Sequence, residues 1–258
     1  MDYQTLELDI SDGAALVRLN RPEVRNALNT QMRAELLHVV KLAEAEARVL
    51  VLTGAGEAFC SGQDLSDRGT AANIDIERTL RDEYVPLLQS IYESRIPIMA
   101  AVNGAAAGAG ANLALAADVV VASESAVFVQ AFARIGLIPD AGGTYWLPRQ
   151  VGFAKAMGAA LFAEPIPARQ AEAWGMIWEA VPDTDFEAHW RGRMAQLAQG
   201  PTATYAMAKR ALRESFDHKL GDQLALEARL QGRCGTTRDF REGVLAFAEK
   251  RPAKFEGR

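Results

Sequence analysis

The sequence is poor in cysteine, in positive charge and in histidine, and each shortage excludes a class of protein. Its 258 residues include 2 cysteines, Cys60 and Cys234, too few for the disulfide framework of a small secreted domain. The formal net charge is −5, so the chain lacks the basic surface that neutralises nucleic-acid phosphates. The 3 histidines have no partners at metal-ligand spacing, so no metal site is expected.

Long apolar runs are also scarce. Only residues 96–122 are apolar enough to consider as a bilayer span, and they are interrupted by Pro97, Asn103, Asn112 and Asp118. The amino terminus is acidic and lacks the apolar segment of a signal peptide. We therefore expect a soluble cytoplasmic protein with neither a nucleic-acid nor a membrane partner.

Strand-like runs alternate with helical periodicity, which predicts an α/β fold with partly parallel sheets. An opening hairpin is expected around the turn Ser11-Asp-Gly13. The strands are predicted at residues 3–10, 14–19, 48–53, 97–103, 118–122, 126–129 and 177–181. Amphipathic helices are predicted at residues 30–47 and 74–94, the second kinked at Pro86.

A Gly-Pro pair at Gln199-Gly-Pro-Thr202 is the best internal boundary. It divides residues 1–199, the core with the active site, from residues 200–258, a helical region. The second segment has too few large apolar side chains for a core of its own. We expect it to pack on the main body or on a neighbouring subunit.

Two small-residue turns follow apolar strands and carry the first functional signal. They are Gly54-Ala-Gly-Glu-Ala-Phe-Cys-Ser-Gly-Gln-Asp64 and Gly104-Ala-Ala-Ala-Gly-Ala-Gly-Ala-Asn112. Bare backbone at such turns lets a ligand approach main-chain N–H groups, and two donors on one oxygen form an oxyanion hole. Close helix packing through small residues explains the second turn equally well. Neither a dinucleotide fingerprint nor a phosphate-binding loop fits it.

Ser61 and Cys60 are not predicted to be nucleophiles. The segment Phe59-Cys-Ser-Gly-Gln63 departs from the Gly-x-Ser-x-Gly elbow, and no histidine follows at a suitable place. No neighbouring base lowers the pKa of Cys60, so we interpret it as a small core residue. The backbone N–H of Ser61 is the more useful group.

Asp140 lies in a third turn, Gly136-Leu-Ile-Pro-Asp-Ala-Gly-Gly-Thr144, and has two possible roles. It could cap the helix that starts near Gly142. It could instead be a general base in an apolar pocket, with its pKa raised by desolvation. The basic residues Arg25, Lys250 and Arg251 similarly could bind phosphates or be solvated surface charges.

Taken together, these segments resemble the enoyl-CoA hydratase/isomerase (crotonase) superfamily from end to end. The resemblance rests on Asn20-Arg-Pro22, Phe59-Cys-Ser-Gly-Gln-Asp-Leu65, Val102-Asn-Gly-Ala-Ala-Ala-Gly-Ala-Gly110, Ala117-Asp118, Gly136-Leu-Ile-Pro139, Gly142-Gly-Thr144 and Arg241-Glu-Gly-Val-Leu-Ala-Phe-Ala-Glu-Lys-Arg251. It implies a crotonase-like superhelix of ββα units and a C-terminal helical trimerisation region, assembled as a homotrimer or a dimer of trimers.

The resemblance also implies a site. Family members hold the thioester oxygen of an acyl-CoA with two backbone N–H groups, which map by position to Ser61 and Ala109. The residues implied to bind coenzyme A are Arg25, Gly62, Gln63, Asp64, Phe247 and Lys250, the last two from a neighbouring subunit. No permanently bound cofactor is implied, because the substrate arrives as a coenzyme A thioester.

Departures from the family pattern favour one reaction. Hydratases of this family use two glutamates, where this chain has Asn112 and Phe132, and Asp140 replaces a glycine. A single carboxylate facing a thioester enolate fits a proton shuttle, hence an isomerase. The alternatives are a hydratase or thioester hydrolase with another base, such as Glu124 or Glu164, and a non-catalytic acyl-CoA-binding protein.

Three segments narrow the resemblance further. Residues 59–68, 136–144 and 174–178 are similar to the family's isomerases that convert the 1,2-epoxide of phenylacetyl-CoA to an oxepin. Such enzymes also shift double bonds between carbons 3 and 2 of enoyl-CoAs. The expected function is therefore acyl-CoA isomerisation by one or both of these reactions.

Overall fold

The computed structural model describes residues 3–67 and 75–258. The predicted helix start at residue 74, and residue 68 of the motif segment, lie outside them. The strands are β1 (Leu6–Ser11), β2 (Ala14–Leu19), β3 (Val49–Gly54), β4 (Ala58–Cys60), β5 (Ile98–Val102), β6 (Ala105–Ala107), β7 (Val119–Ser123), β8 (Val127–Val129), β9 (Ile166–Pro167) and β10 (Glu179–Val181). The α-helices are α1 (Thr30–Glu46), α2 (Ile76–Thr79), α3 (Val85–Glu93), α4 (Ala109–Leu115), α5 (Gly143–Phe162), α6 (Ala168–Ala173), α7 (Phe186–Ala198), α8 (Thr202–Glu214), α9 (Leu220–Cys234) and α10 (Arg238–Glu249).

The predicted opening hairpin is confirmed. Strands β1 and β2 pair antiparallel, and Asp12 and Gly13 both adopt positive φ values, as a two-residue hairpin turn requires. The two strands begin a six-stranded sheet in the order β1-β2-β3-β5-β7-β10, whose remaining pairs are parallel. The mixed α/β fold predicted from the alternation of strands and helices is therefore observed.

The central strands of this sheet are buried on both faces. Every residue of β3 and of β5 is buried, as expected when helices cover both sides of a parallel sheet. Because side chains alternate along a strand, Leu50 and Leu52 join the larger core cluster, whereas Val49 and Val51 pack with the cluster that contains Trp190 of α7.

A second, four-stranded sheet has the order β4-β6-β8-β9. Its first three strands each follow a strand of the large sheet after a sharp turn, so β3-β4, β5-β6 and β7-β8 are successive ββ units, each leading into a helix. Glycine is required at two of these turns: a Cβ on Gly54 would lie 2.2 Å from Ala58 O, and one on Gly104 would lie 2.0 Å from Glu57 O. The sequence indicated only turns at residues 54–64 and 104–112, because three-residue strands of small side chains leave no periodic signal.

The second predicted helix is interrupted before its proline. Residues Leu80–Tyr84 form a π-helical segment between α2 and α3. Pro86 has no N–H to donate to the preceding turn, and the widened turn ahead of it accommodates that loss. The break therefore falls ahead of Pro86 and not at it.

The C-terminal helices attach to the core through polar contacts. Arg48 donates to the carbonyl of Gly200 and, at 3.1 Å, to Thr202 Oγ1. Asp118 lies 2.7 Å from Lys209 Nζ and 2.6 Å from Arg213 Nη2, both on α8. Within the described ranges, no helix has the length and apolar character needed to cross a membrane.

Candidate active site

A cavity of about 550 Å³ opens between the turn after β4, the start of α4 and the loop before α5. Its walls are mostly apolar, with a few polar groups, as is usual for a small-molecule site. The residues that line it are Ser61, Gly62, Gln63, Leu65, Ile76, Thr79, Leu80, Tyr84, Gly108, Ala109, Ala131, Phe132, Arg134, Ile135, Leu137 and Asp140.

Asp140 provides the carboxyl group of this cavity. Its Oδ1 is buried and has no hydrogen-bond partner in the part of the chain that the structure describes. Burial raises the pKa of Asp140 to about 6, since desolvation penalises the charged form. The pKa rise expected from the sequence is therefore present, and it places the group in the range suited to proton transfer near neutral pH.

The capping role considered for Asp140 is wrong. The N-cap of α5 is Gly142, with φ of 81°, and no side chain caps this helix. Asp140 lies two residues earlier, and it is its carbonyl oxygen that contacts the helix, accepting from Gly143 N at 2.8 Å. The carboxylate is consequently left to face the cavity.

The two positions implied to hold glutamates in hydratases have other functions here. Asn112 is fully buried and donates from Nδ2 to the Asp140 carbonyl at 2.7 Å. Phe132 is buried and lines the cavity, with its ring 3.7 Å from the position a Cβ would take on Gly108. Neither side chain can carry a proton.

The structure corrects the predicted oxyanion donor Ser61. Its N–H donates to Arg25 O at 2.9 Å, so this group is already used within the protein. Its hydroxyl donates to Val24 O at 3.1 Å, which also leaves it without a base for nucleophilic catalysis. The mapping was wrong because Gly62, with φ of 97°, interrupts the regular alternation of peptide directions, so the sequence does not reveal which side each main-chain amide of this turn faces.

Two residues later, the Gln63 N–H has the opposite orientation. Leu28 N donates to Gly62 O at 2.8 Å, and Asp64 N donates to Leu28 O at 3.1 Å, so the amide between them points away from Leu28. Strand β6 pairs with β4 just before this turn, and α4 follows β6 along the chain.

Gly62 allows these two segments to meet. A Cβ at this position would lie 2.8 Å from Ala107 O and 3.4 Å from Ala109 N. Ala109 is the first residue of α4, so its N–H has no acceptor within the helix. The cavity is therefore lined by two adjacent segments. One carries the Gln63 N–H, which points away from Leu28, and the other carries the Ala109 N–H, which has no acceptor within its own helix.

A buried network fixes the side chain of Gln63. Its Oε1 accepts from Tyr84 Oη at 2.6 Å and from Arg33 Nη1 at 3.0 Å. Arg33 is almost fully buried and pairs with Glu83 at 2.7 Å. Sequence analysis missed this network because residues 33, 63 and 84 share no motif and meet only in the folded chain.

Asp64, expected to bind coenzyme A, turns away from the cavity. Its buried carboxylate accepts from Arg21 Nη1 at 2.9 Å and from Ser66 Oγ at 2.6 Å. Burial raises the pKa of Asp64, but the hydrogen bonds from Ser66 and Arg21 outweigh it and leave the pKa below its ordinary value. The residue braces the loop and does not line the site.

Several other predicted residues lie outside the cavity wall of the single chain. Arg25 is exposed, with its main chain beside Ser61, and Phe247 and Lys250 are exposed on and after α10. The two alternative bases lie outside the cavity wall as well: Glu124 is exposed and pairs with Arg169, and Glu164 is exposed.

Cys60 is buried, and burial raises the pKa of its thiol to about 12, which agrees with a core role.

With this geometry in place, comparison with known proteins identifies the family. Residues 9–258 match the family described as enoyl-CoA hydratase/isomerase. The chain belongs to this family. Its relatives include a Rhodobacter capsulatus protein named "Probable enoyl-CoA hydratase", 62% identical with 100% of both chains covered. The 1,2-epoxyphenylacetyl-CoA isomerase of Escherichia coli K12 is 42% identical, covering 96% of this chain and 97% of that one.

Solved structures agree with the family assignment. The crystal structure of an enoyl-CoA hydratase from Bacillus anthracis superposes with a TM-score of 0.91 at 30% identity, covering 99% of this chain and 100% of the other. The fold is therefore that of enoyl-CoA hydratase/isomerase proteins, as the sequence motifs implied. Family membership by itself leaves the reaction open, since the relatives include both a hydratase and an isomerase.

Proposed function

We propose that this enoyl-CoA hydratase/isomerase family member isomerises coenzyme A thioesters, with Asp140 moving a proton through a thioester enolate. One observation carries the proposal: an unpartnered, buried carboxylate on the wall of an apolar cavity. Among the described lining residues it is the sole carboxylate, and residues 68–74 contain no Asp or Glu. A proton shuttle needs one acid/base group, whereas the hydration chemistry implied for the family uses two.

The enolate oxygen is held by the N–H groups of Gln63 and Ala109. Support comes from the outward direction of the Gln63 amide and from the position of Ala109 as the first residue of α4. Two such donors aimed at a developing negative charge in a water-poor cavity lower the barrier by several kcal/mol. Gln63 takes the place that the sequence had indicated for Ser61.

The proton transfer follows from this arrangement. With the thioester oxygen on the two amides, the Asp140 carboxylate removes a proton from carbon 2 of a 3-enoyl thioester and forms a dienolate. The same carboxyl group then returns the proton at carbon 4, which leaves the double bond between carbons 2 and 3. No atom is gained or lost, and Asp140 is regenerated as the carboxylate.

The acyl group is proposed to be apolar or aromatic. Leu65, Leu80, Phe132 and Leu137 form apolar walls around Asp140. The 42% identical relative is named a 1,2-epoxyphenylacetyl-CoA isomerase, which makes that epoxide the second substrate to test beside 3-enoyl-CoA. Arg25, Phe247 and Lys250 remain proposed contacts for coenzyme A, the last two across subunits of a homotrimer or a dimer of trimers.

Hydration of 2-enoyl-CoA is the second candidate function. It is favoured by the 62% identical relative, which is named a hydratase. In that case Asp140 would have to activate water without a second carboxylate. The buried amide of Asn112, which is engaged with the loop, and the ring of Phe132 argue against efficient hydration.

A side-by-side assay separates these functions. We expect purified protein to convert 3-hexenoyl-CoA, the phenylacetyl-CoA epoxide or both at least about 100-fold faster than it hydrates crotonyl-CoA, given the size of general acid–base effects. Asp140→Asn should lower kcat by about 10²–10⁴-fold while substrate affinity changes little. The matched controls Glu124→Gln and Glu164→Gln should keep full activity.

Other outcomes reject the proposal. Faster hydration than isomerisation in the wild-type protein would favour the hydratase. Unchanged turnover in Asp140→Asn would eliminate the proposed base. Tight binding of acyl-CoA without exchange of its carbon-2 protons in deuterated water would identify a non-catalytic binding protein.

The pH dependence of kcat/KM checks the base independently. Because Asp140 must be ionised to accept a proton and its pKa is about 6, activity should fall below pH 6 and level off above it. Stopped assays between about pH 4.5 and 8.5 measure this dependence, because that range covers the shifted pKa of Asp140 and extends down toward its ordinary value near 4. Only pH values at which the enzyme stays folded are used. A profile that rises with falling pH would contradict a carboxylate base.

A further inference from the structure

A chain of buried amides connects α4 and the segment after β8 with the Asp140 loop. Gln130 donates from Nε2 to Asn112 Oδ1 at 2.9 Å, and Asn112 donates from Nδ2 to Asp140 O at 2.7 Å. Both side chains are fully buried, with 0% exposure. These two bonds give the series of amides a defined direction and geometry, while the buried Gln130 Oε1 has no partner among the described residues.

The Asp140 carbonyl, at the end of this series of hydrogen bonds, determines the orientation of both amides. A main-chain carbonyl can only accept, so Asn112 must turn its NH₂ group toward Asp140 and its oxygen toward Gln130. Gln130 must then present its own NH₂ group. A single orientation of both amides therefore satisfies the loop carbonyl.

The loop is shaped to receive Asn112. A Cβ on Gly143 would lie 2.3 Å from Asn112 Nδ2, so any larger residue would displace the amide. Ala141 and Gly142 have φ values of 47° and 81°, an uncommon pair of left-handed conformations that turns the chain sharply after Asp140. The Asp140 carbonyl, held by Asn112 and by Gly143 N, anchors the front of this turn.

The same short helix also carries a proposed oxyanion donor. Ala109 is the first residue of α4 and Asn112 lies three residues later, close to one helical turn away. One short helix therefore carries both the proposed oxyanion donor and the amide that holds the main chain of the proposed base. A displacement of about 1 Å between such groups can cost about 100-fold in rate.

We propose that Asn112 is a positioning residue: its carboxamide, oriented by Gln130, fixes the main chain of Asp140 relative to the Ala109 N–H. The inference rests on the proposed function of Asp140 as the base. It gives a role to the position where hydratases of the family are implied to hold a glutamate.

Asn112→Leu tests the proposal, because leucine has a similar size and cannot donate. We expect kcat for 3-hexenoyl-CoA to fall about 10–100-fold, with KM within about twofold of wild type, since the base is misplaced while the binding surface persists. Gln130→Met should lower kcat in the same direction by a smaller factor. Gln223→Leu is the control: it removes a carboxamide that donates to the Ala211 carbonyl at 2.9 Å in the C-terminal helices, and kcat should stay unchanged.

The pH profile of kcat for Asn112→Asp distinguishes a positioning role from a packing role, because a packing role would leave that profile unchanged. A protonated Asp at position 112 can donate to the Asp140 carbonyl while accepting from Gln130, whereas an ionised one cannot donate. We therefore expect a bell-shaped kcat profile for this variant, with a falling limb at high pH that the wild-type enzyme lacks. This variant also preserves the test if Asn112→Leu does not fold.

The outcomes separate the two proposals. Full activity of Asp140→Asn overturns the base itself. Inactive Asp140→Asn together with wild-type kcat in Asn112→Leu, or a wild-type pH profile in Asn112→Asp, overturns the positioning role and leaves the base intact. In the double variant Asp140→Asn/Asn112→Leu, the residual rate should equal that of Asp140→Asn alone, because Asn112 acts through Asp140.

Discussion

Asp140, the proposed base, carries a buried charge that opposes the stability of the fold. Its Oδ1 is buried without a partner, and burial alone raises its pKa to about 6. In the unfolded chain the same carboxyl ionises near pH 3.9. Between these values Asp140 in the folded protein binds a proton that it has already released in the unfolded chain, so the contribution of Asp140 to stability decreases as pH rises from about 4 to about 6.

Asp140→Asn should therefore stabilise the protein at neutral pH. Asparagine carries no charge to desolvate, so we expect the free energy of unfolding to increase by up to about 3 kcal/mol at pH 8, with the difference vanishing near pH 4. Urea denaturation at the two pH values measures the change. Equal stability of the variant and the wild type at pH 8 would mean that water solvates the carboxylate.

The sequence identified the carboxylate of the site but not its main-chain donor, for a geometric reason. It found Asp140 and left its capping and catalytic roles open, and the structure excluded the first. It chose the N–H of Ser61, which the structure commits to Arg25 O, whereas the N–H of Gln63 points away from Leu28 and is the proposed donor. Residue type reveals chemical capacity, but the direction of a main-chain amide depends on which neighbour the strand pairs with.

Among the secondary-structure elements, α4 carries two residues of the proposed mechanism, Ala109 and Asn112. Its first residue, Ala109, lines the cavity, and Asn112 on the same helix donates to the loop before α5. This helix was expected from the sequence only as the continuation of a glycine-rich turn. The short strand β6 before it was not expected, because Ala105–Ala107 lacks the bulky side chains that mark a strand.

A proline at the start of α4 tests the proposed Ala109 donor. Ala109→Pro removes the N–H at the first helical position, where proline is tolerated because that amide has no partner within the helix. We expect kcat to fall about 10²–10³-fold, the usual effect of losing one oxyanion donor. Ala109→Ser keeps the N–H and should retain most of the activity.

The comparison of the two Ala109 variants requires that α4 stays folded in both. Matching circular dichroism and unfolding midpoints for the two Ala109 variants would establish this. Wild-type turnover in a folded Ala109→Pro enzyme would remove this amide from the mechanism.

At the scale of the whole molecule, a charge cluster joins the C-terminal helices to the large sheet. Asp118, just before β7, pairs with Lys209 and Arg213 of α8, and Lys209 also donates to Ile96 O at 2.7 Å. The three side chains are largely buried, with 11–20% exposure. Because α8 has no buried residue in the single chain, these polar contacts carry much of its attachment.

Asp118→Asn should loosen this attachment. It leaves two cations partly buried without their counter-charge, and we expect the free energy of unfolding to decrease by about 2–4 kcal/mol. Glu124→Gln is the matched control, since it removes an exposed pair with Arg169 and should cost at most about 1 kcal/mol. Chemical denaturation of both variants at pH 7.5 (roughly the plateau above the Asp140 pKa) measures the contrast. An equal decrease in the free energy of unfolding of both variants would show that the Asp118 cluster contributes no more to stability than an exposed ion pair.

The sequence by itself determined the family, the α/β alternation of the longer strands with helices, and the presence of a carboxylate at residue 140. These follow from local patterns: apolar periodicity, glycines at sharp turns, and motif spacing. Only the tertiary structure decided that the Ser61 N–H is bonded to Arg25 O, that Asp64 braces a loop, and that Asn112 holds the Asp140 carbonyl. Each of those results depends on contacts between segments some 28–43 residues apart, and no local pattern encodes the direction in which such segments meet.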